Sequence, residues 1–412
     1  TDELGLITTT IKSRADEIRY YYARCPICGE EQRMLWENIS WGKTRDHREV
    51  RRKKLARYHC RACGMAWGDT MRDKAVRATM KNGWRAENLV DRPRVVAFKL
   101  QSWYVQSMSE AAADFLEGQE DPEKLKAWVT QHCAEEWKAK VVSKTESAIL
   151  KRKSEYPSLV VPPDAIALTA GIDVQKHGFW FVVRAWAEDL TSWLIQYGYL
   201  LNWPDVENLL YNTAYRIHGS QNTMDIWRAA IDTGGGESAD SDWSRTEEIY
   251  QWLRSQPQYP AKVYGIKGAS HIRALAAKRI KITRIDTLPS SGKLIPGGLE
   301  LRLLDTTQYK GVIHFRLSRK DKTEEQEAET QRFYIHSETE MDYVRQLLAE
   351  EWRADRKGVY QWRQISGRPN HFLDCEVMAA ACADNEWLPS LQMFADYLRQ
   401  ECEEQKKRES VS

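Results

Sequence analysis

The chain has 412 residues, of which 29% are charged and 42% are hydrophobic, and its formal net charge is +2. This length and composition are typical of a soluble globular protein of two or three domains, and no apolar run approaches the roughly 20 residues that span a bilayer. A charge near neutrality excludes overall attraction to nucleic acid, so any such attraction must come from local clusters of basic side chains. Because the sequence opens with Thr1 and not with Met or a signal peptide, we expect a fragment of a longer protein.

Two CxxC pairs predict a metal site near the start of the chain: Cys25 with Cys28, and Cys60 with Cys63. Each pair is followed by a glycine, Gly29 or Gly64, where a turn around a metal needs positive φ. Four thiolates at this spacing predict a structural, tetrahedral Zn²⁺ site, against the alternative of unliganded reduced thiols. Residues 29–59, between the pairs, exceed the roughly 15–20 residues of a simple ribbon, so part of them must loop out. His47 and His59 are alternative ligands, although four cysteines are sufficient.

The segment between the cysteine pairs is rich in basic residues, with a central run of Arg51, Arg52, Lys53 and Lys54. One interpretation is an exposed hairpin, because runs of charge usually lie in solvent. The other is a DNA-binding arm, because clustered Lys and Arg side chains contact phosphates without sequence preference. Gly42-Lys-Thr44 is not part of a nucleotide-binding P-loop, since that motif requires a glycine where Glu37 stands.

Local patterns before residue 158 predict mainly helical structure. Residues 70–155 contain capping residues followed by helical periodicity, whereas residues 8–12 resemble a strand. The charged stretch 146–157 ends in Tyr156-Pro and has the composition of a linker, so we place a domain boundary near residue 158.

The remainder of the chain shows an α/β pattern. An antiparallel meander of three strands is followed by a helix, a strand, a second helix and another strand, at residues 166–175, 179–187, 191–199, 203–217, 227–233, 244–255 and 261–267. This order predicts an RNase H-like mixed sheet flanked by helices. Strands are also predicted at residues 299–304, 311–317 and 359–366, a helix at residues 340–352, and a final helix that carries Asp374.

Three aspartates occupy positions that predict a metal-dependent nuclease. Asp173 lies near the end of an apolar strand, where a charge is costly unless something binds it. Asp232 ends a second strand directly before three glycines, and Asp374 lies at the start of a helix. Phosphodiester hydrolysis with two ions needs oxygen ligands around metals ~3.5–4 Å apart, and Mg²⁺ or Mn²⁺ prefers carboxylates. We predict that Asp173 bridges two ions and that the other two aspartates bind one each, although each aspartate alone is also explained as a cap or turn residue.

Two further residues are candidates for a supporting role. His371 lies three residues before Asp374 on the same helix face, where it would orient a ligand or the water, although a lone histidine is more often structural. Lys267 ends a predicted strand near the same pole of the sheet and is expected to hold a phosphate. Glu376 is a weaker candidate, because it points elsewhere on the helix. The cysteines without ligand spacing are expected in the core: Cys133, Cys375 and Cys382.

Together these motifs resemble the large terminase subunit of tailed phages, in the lambda-type GpA family: the cysteine pairs, Ala170-Gly-Ile-Asp-Val-Gln175, Ile231-Asp-Thr-Gly-Gly235 and Asn370-His-Phe-Leu-Asp-Cys-Glu376. The resemblance covers nearly the whole chain but only the C-terminal part of such a subunit, without its ATPase domain and Walker motifs. It implies an endonuclease that nicks concatemeric double-stranded phage DNA at cohesive-end sites in the host cytoplasm. It also implies two partners, a small terminase subunit that recognises the site and the portal of an empty capsid. By the resemblance, the three aspartates match the nuclease carboxylates of the family.

The resemblance divides the chain into five regions: a connector from a missing upstream ATPase domain (1–22), a zinc-knuckle region with a basic insertion (23–70), a helical region and linker (71–158), an RNase H-like endonuclease domain (159–390) and a polar, basic tail (391–412). Two other functions stay open. One is a non-catalytic DNA-binding or assembly module of the packaging motor, in which the aspartates are structural. The other is an integrase-like enzyme of the same fold, which usually requires Asp-Asp-Glu.

Overall fold

The computed structural model describes residues 6–119, 121–136, 145–234, 242–257, 261–269, 278–289, 292–319, 330–354 and 360–411. The chain separates into two compact units, Thr1–Lys140 and Val141–Ser412. The sequence instead predicted a boundary near residue 158, after a linker at residues 146–157. The structure differs because this stretch folds with the second unit, where a helix at Glu146–Leu150 buries Ile149 in the core.

The first unit consists of short helices and strands: α1 (Leu6–Arg14), β1 (Glu17–Tyr21), β2 (Ala23–Arg24), β3 (Glu31–Gln32), β4 (Ile39–Ser40), α2 (His47–Lys53), β5 (Arg57–His59), β6 (Ala66–Trp67), α3 (Asp69–Arg77), β7 (Trp84–Ala86), β8 (Val96–Lys99), α4 (Met108–Gly118) and α5 (Pro122–Ala127). The strands form small sheets in the orders β7-β1-β8, β4-β5-β6 and β2-β3. Aromatic rings fill the core, in which Trp36 packs against Trp103, Phe115 and Trp128 at centroid distances of 5.3, 5.2 and 4.7 Å.

One prediction for the first unit was wrong, and a second was incomplete. Residues 8–12 belong to helix α1 instead of a strand, and Lys12 and Arg14 in its last turn complement the negative end of the helix dipole. Residues 70–155 contain strands β7 and β8 as well as helices. Both strands pair with β1, so long-range sheet formation, which local periodicity does not report, decides their conformation.

The second unit contains the longer strands of the chain: α6 (Glu146–Leu150), β9 (Val160–Val161), β10 (Ala167–Gln175), β11 (Gly178–Trp186), β12 (Ser192–Leu200), α7 (Trp203–Glu207), β13 (Ala214–Ile217), β14 (Thr223–Asp232), α8 (Asp242–Ser255), β15 (Val263–Ala269), β16 (Ile280–Thr287), β17 (Leu294–Asp305), α9 (Thr306–Ser318), β18 (Phe333–Tyr334), α10 (Met341–Leu347), β19 (Glu350–Ala354), β20 (Tyr360–Gln364), α11 (His371–Cys382) and α12 (Leu391–Val411). Among the helices of the described residues, none has the length and apolar character needed to cross a bilayer.

One mixed sheet organises this unit. Its main path through the described residues is β16-β17-β15-β14-β10-β11-β12-β18. The predicted meander is confirmed, since β10 pairs antiparallel with β11, and β11 with β12. On the other side of β10, β14 pairs in parallel with β10, and β15 pairs in parallel with β14. One hydrophobic cluster packs α9, α10 and α11 on one face, and a second packs α7 and α8 on the other. The central fold is therefore a mixed α/β sheet flanked by helices.

Three predicted elements in the second unit end or fold differently. The helix predicted over residues 203–217 stops after a π-helical turn at Asn208–Asn212, and β13 follows it. The strand predicted at residues 311–317 is part of helix α9, whose buried residues recur at helical spacing; a short apolar run does not distinguish these two states. The helix predicted over residues 340–352 ends at Leu347, and β19 begins at Glu350.

Helix α11 lies directly on the central strand β10, and Gly171 permits this close approach. A Cβ atom at Gly171 would lie 1.9 Å from the carbonyl oxygen of Cys375 and 2.8 Å from the Cβ of Met378. Thr169, two residues earlier on the same face of the strand, donates a hydrogen bond of 2.8 Å to the carbonyl oxygen of Ala379. The helix is thereby held at backbone distance from the strand that carries Asp173.

Candidate functional site

Strand pairing brings two of the predicted aspartates to adjacent positions. β10 and β14 are parallel neighbours in which Gly171 pairs with Ala230 and Ile172 with Ile231. The residues that follow, Asp173 and Asp232, therefore lie side by side at the carboxyl ends of two central strands. Both are on the face that α11 covers, because side chains alternate along a strand and Gly171 and Ala230 face that helix.

Helix α11 supplies the third aspartate from its first turn. Asp374 is the fourth residue of the helix, and the amide nitrogen of Asp374 donates to the carbonyl oxygen of Asn370, which precedes the helix. The amino end of a helix carries a partial positive charge, which favours the negative charge of nearby carboxylates. Because α11 lies on β10, its amino end brings Asp374 towards the two strand-end aspartates.

Asp173 is buried and its orientation is fixed by neighbouring side chains. His371 Nδ1 lies 2.8 Å from Asp173 Oδ2, and Gln175 Nε2 donates to the same oxygen at 2.8 Å. The His371 ring stacks on Trp180, with a centroid distance of 5.2 Å and an interplanar angle of 6°. The structure thus places His371 against Asp173, where the sequence reasoning had assigned it a supporting role.

Three residues at this site were missed by the sequence reasoning. Lys310 Nζ of α9 lies 2.6 Å from Glu350 Oε1 and 3.5 Å from Asp374 Oδ1. Asn370 Nδ2 lies 2.9 Å from the same Glu350 oxygen and 3.0 Å from Asp374 Oδ2. Asn370 was available as a polar residue one helical turn before Asp374. Glu350 stands in a stretch predicted as a helix and Lys310 directly before one predicted as a strand, so no local signal connected them to the site.

Burial, with the negative charge of neighbouring carboxylates, raises the pKa of two aspartates. Burial, followed by the charges of Asp173 and Asp374, raises the pKa of Asp232 to about 7, although the Gly234 amide opposes this. Burial also raises the pKa of Asp374 to about 6, with further contributions from Asp173 and Glu350 and an opposing one from Lys310. Ionising these groups together is unfavourable in the absence of a cation, so the site favours binding one.

Two other candidates lie away from the aspartates. Ile266, which pairs with Asp232, is in the core on the α11 face, so the next residue, Lys267, faces the opposite side of the sheet. Lys267 Nζ lies 5.8 Å from the ring centroid of Tyr250 on α8. Glu376 is fully buried in an ion pair with Arg184, with Nε to Oε2 at 2.7 Å. Neither residue contacts the three aspartates.

The four cysteines of the CxxC pairs form a compact cluster in the first unit. Cys25 Sγ lies 3.9 Å from Cys63 Sγ, and Cys28 Sγ lies 3.8 Å from Cys60 Sγ. Gly29 and Gly64 both have positive φ, of 78° and 70°, as the turn prediction required. Each glycine amide closes its turn on the carbonyl oxygen of the first cysteine of its pair. The four sulfur atoms all lie within 4.8 Å of one another, which is close enough for all of them to bind one metal ion.

The four basic residues predicted to contact DNA are not equivalent. They lie on and after helix α2, not on a hairpin. Arg51 is turned towards α4, where its guanidinium group bonds Glu110 at 2.6 Å, Asp114 at 2.7 Å and Glu117 at 3.1 Å. Lys53 pairs with Glu49. The side chains on the outer surface at and around this helix are all exposed: Arg45, Arg48, Arg52 and Lys54.

Most of the chain matches models of two known protein families. Residues 95–390 match the family model for the terminase large subunit gpA, endonuclease domain. The chain belongs to the gpA family of terminase large subunits. The predicted membership of this family, and with it a terminase endonuclease domain, is confirmed. Residues 5–84 match the model for the phage terminase large subunit gpA, ATPase domain. The cysteine cluster and residues 5–22 of the predicted connector lie within this match, so the expectation that the chain lacks the ATPase domain is wrong for residues 5–84.

Two curated relatives of the gpA family are similar over most of the chain. The terminase large subunit of enterobacteria phage P21 is 26% identical over 396 residues, which cover 88% of this chain and 56% of that protein. The terminase large subunit of Escherichia phage lambda is 25% identical over 406 residues, covering 90% of this chain and 58% of that protein. The chain thus spans a little over half the length of these relatives.

One solved structure is also similar, the crystal structure of the large terminase nuclease from thermophilic phage G20c with bound magnesium. The similarity covers 58% of this chain and 98% of that chain, with 12% sequence identity and a TM-score of 0.31.

Proposed function

We propose that the second unit cleaves DNA with divalent metal ions held by Asp173, Asp232 and Asp374. The observation that carries this proposal is the convergence of the three aspartates, from the ends of two central parallel strands and the amino end of α11, in a terminase endonuclease domain. The sheet order supports a fold of the RNase H type, since an antiparallel meander continues into parallel strands from its first strand. In this fold the site occupies the carboxyl ends of the central strands.

The chemistry of the donor groups fits Mg²⁺ or Mn²⁺. These hard cations take carboxylate oxygens as ligands, and in two-ion sites they supply Lewis-acid stabilisation of charge on the phosphodiester. Asp173 lies near the end of the strand that pairs with the strand of Asp232 and packs against the helix of Asp374, so it is the carboxylate that both ions would share. His371 and Gln175 both contact Asp173 Oδ2, which fixes the orientation of this carboxylate. Trp180 in turn fixes the plane of the His371 ring.

We further propose that the cysteine cluster holds a structural Zn²⁺ ion. A tetrahedron of sulfur atoms ~2.3 Å from its centre has edges of about 3.8 Å, which fits the two sulfur–sulfur distances. A disulfide would require sulfurs about 2.05 Å apart. Zinc would stabilise residues 23–70, which we retain as a zinc-knuckle region. Residues 159–390 remain the proposed extent of the endonuclease fold, and residues 391–412 that of the tail.

The proposed substrate is double-stranded phage DNA, nicked at cohesive-end sites during packaging in the host cytoplasm. A small terminase subunit that recognises the site and the portal of the capsid are the proposed partners. The exposed residues Arg48, Arg52 and Lys54 would contact phosphates, whereas Arg51 would not. The burial of Glu376 in an ion pair argues against the integrase-like alternative with an Asp-Asp-Glu site.

A plasmid-nicking experiment tests the proposed function. The purified chain should convert supercoiled plasmid to the open-circular form when Mg²⁺ or Mn²⁺ is added, and EDTA should stop the reaction. Asp374→Asn should lower the nicking rate by at least 100-fold, while Asp164→Asn, which changes an exposed aspartate, should leave it unchanged. Equal nicking rates for the two variants would favour the alternative of a non-catalytic DNA-binding or assembly module.

A further inference from the structure

The three aspartates differ in how many of their carboxylate oxygens are contacted by donor groups of the protein. Both hydrogen bonds to Asp173 go to Oδ2, and the Gly234 amide donates to Asp232 Oδ1 at 2.9 Å. Within the described residues, Asp173 Oδ1 accepts no hydrogen bond. Asp374 is different, because Asn370 contacts its Oδ2 and Lys310 contacts its Oδ1. Asp173 thus offers one oxygen that no described donor contacts, Asp232 is contacted by backbone amides alone, and Asp374 is contacted by side chains on both oxygens.

Lys310 supplies one positive charge that two carboxylates share. Its Nζ is closer to Glu350 Oε1, at 2.6 Å, than to Asp374 Oδ1, at 3.5 Å. The Lys310 side chain is 12% exposed and the Glu350 side chain 6%, so solvent screens this pair weakly. The Asp374 side chain is 37% exposed, so its interaction with Lys310 is screened more strongly. Asn370 bonds both carboxylates and holds them beside the ammonium group. The lysine therefore neutralises part of the charge that would attract a divalent ion to Asp374.

We propose that Lys310 is a positioning residue that makes the two metal positions of the site unequal. Asp173 and Asp232 bind a first ion, whereas Lys310 competes with a second ion for Asp374. Glu350 draws the ammonium group away from Asp374 and so favours occupancy of the second position. The second position would therefore bind its ion more weakly in the free protein, and the negative charge of a bound DNA phosphate would strengthen this binding. This inference rests on the proposed function.

Opposite effects of two substitutions follow from this arrangement. Lys310→Met removes the competing charge and should tighten binding of the second ion at least tenfold. Glu350→Gln leaves Lys310 with Asp374 as its anionic neighbour and should weaken the second ion further. A purely structural role for the pair predicts that both substitutions disturb the site in the same direction. Lys310→Arg keeps the positive charge, so the two metal positions should still differ in affinity.

The experiment is a titration with Mn²⁺ alone, without DNA, of the full chain with its zinc retained. Calorimetry gives the number of ions and their affinities, and electron paramagnetic resonance counts free Mn²⁺ independently. The unaltered protein should bind one ion at least tenfold more tightly than the second, and a double-stranded oligonucleotide should reduce that difference. Lys262→Met is the matched control, because Lys262 is a half-buried lysine just before β15, at the end opposite to the aspartates. If Lys310→Met does not fold, Lys310→Met/Glu350→Gln removes the ion pair as a whole and should also tighten the second ion.

The outcomes separate this inference from the proposed function. If Asp173→Asn leaves binding of both Mn²⁺ ions unchanged, the proposed metal site itself is wrong. If Asp173→Asn abolishes binding of the ions, but Lys310→Met and Glu350→Gln shift the second ion equally or not at all, the proposed function stands and the role of Lys310 is refuted. Two equal ions in the unaltered protein would refute it as well.

Discussion

The cysteine cluster and the carboxylate site are two candidate metal centres built on opposite plans. The four thiolates come from two turns of the same type, and their sulfur atoms all lie within 4.8 Å of one another. The aspartates come from two strands and a helix that are far apart in the sequence, and protein donors already contact some of their oxygens. A closed set of ligands is what a structural ion needs, whereas a catalytic ion needs open positions for substrate and water.

The two centres also differ in what stabilises the structure around them. In the first centre the cysteines lie on turns between strands of two or three residues, with Cys25 and Cys60 at the hydrophobic core, so the proposed Zn²⁺ would supply part of the stability of these turns. The second centre lies on a ten-stranded sheet whose two faces are covered by hydrophobic clusters, so burial of apolar side chains stabilises it. Removing metal should therefore damage the two centres very differently.

The largest expected effect is loss of the cysteine cluster. Cys60→Ala removes a buried thiolate that also accepts a hydrogen bond from Gln32, and zinc content should fall from one ion per chain to none. Because structural zinc contributes on the order of 10 kcal/mol of binding free energy, residues 23–70 should lose hydrogen-exchange protection while the sheet of the second unit keeps it. Elemental analysis and hydrogen exchange measure the two effects, with Cys133→Ala as control. Full protection of this region in zinc-free protein would contradict the account.

The next largest effect concerns the contact between α11 and β10. Gly171→Ala introduces a Cβ that the Cys375 carbonyl group excludes, and the shift of α11 should cost about 1–3 kcal/mol of unfolding free energy. Since α11 carries His371 and Asp374, stabilisation by Mn²⁺ should be lost as well. Gly311→Ala is the matched control, because a Cβ there meets no atom within 4 Å and a helical alanine should stabilise by roughly 0.5–1 kcal/mol. Chemical denaturation with and without Mn²⁺ measures both changes, and an unaffected Mn²⁺ response in Gly171→Ala would argue against the role of this contact.

The smallest expected effect is on DNA binding by the basic side chains of helix α2. Arg48→Ala/Arg52→Ala should lower the slope of log affinity for DNA against log salt by up to about 0.9 per lost contact, without a change in stability. Arg51→Ala should leave the slope unchanged and lower the unfolding free energy of the first unit by about 1 kcal/mol, because it breaks the ion pairs with α4. Salt-dependent DNA binding and denaturation distinguish the two variants. A slope that changes only in Arg51→Ala would reverse the assignment.

The sequence predicted those parts of the two centres whose signals are local. Fixed CxxC spacing identified the thiolates, and apolar strands ending in Asp173 and Asp232 identified the core of the sheet and its functional end. Lys310 and Glu350 were not predictable as neighbours of Asp374, because they reach the site only through the packing of α9 and β19, which were predicted in part as a strand and as a helix. The sequence also predicted that Lys267 lies near the aspartates, at the same end of the sheet. Which face of the sheet Lys267 occupies depends on the register of β15 with β14, which the sequence did not show. Arg51 illustrates the same limit, since its three acidic partners lie on another helix.

The most direct test of the central claim is the stability of Asp173→Asn with and without Mg²⁺ or Mn²⁺, measured with its nicking activity. Without metal, the variant should melt at the same temperature as the unaltered protein or higher, because one charge of a mutually repelling set is removed. Added metal should raise the melting temperature of the unaltered protein and of Asp164→Asn much more than that of Asp173→Asn, by mass action on the folded state. Nicking should be abolished while DNA binding remains. A variant that loses stability without metal, responds to metal like the unaltered protein and still nicks DNA at the unaltered rate would contradict the assignment of Asp173 as a metal ligand.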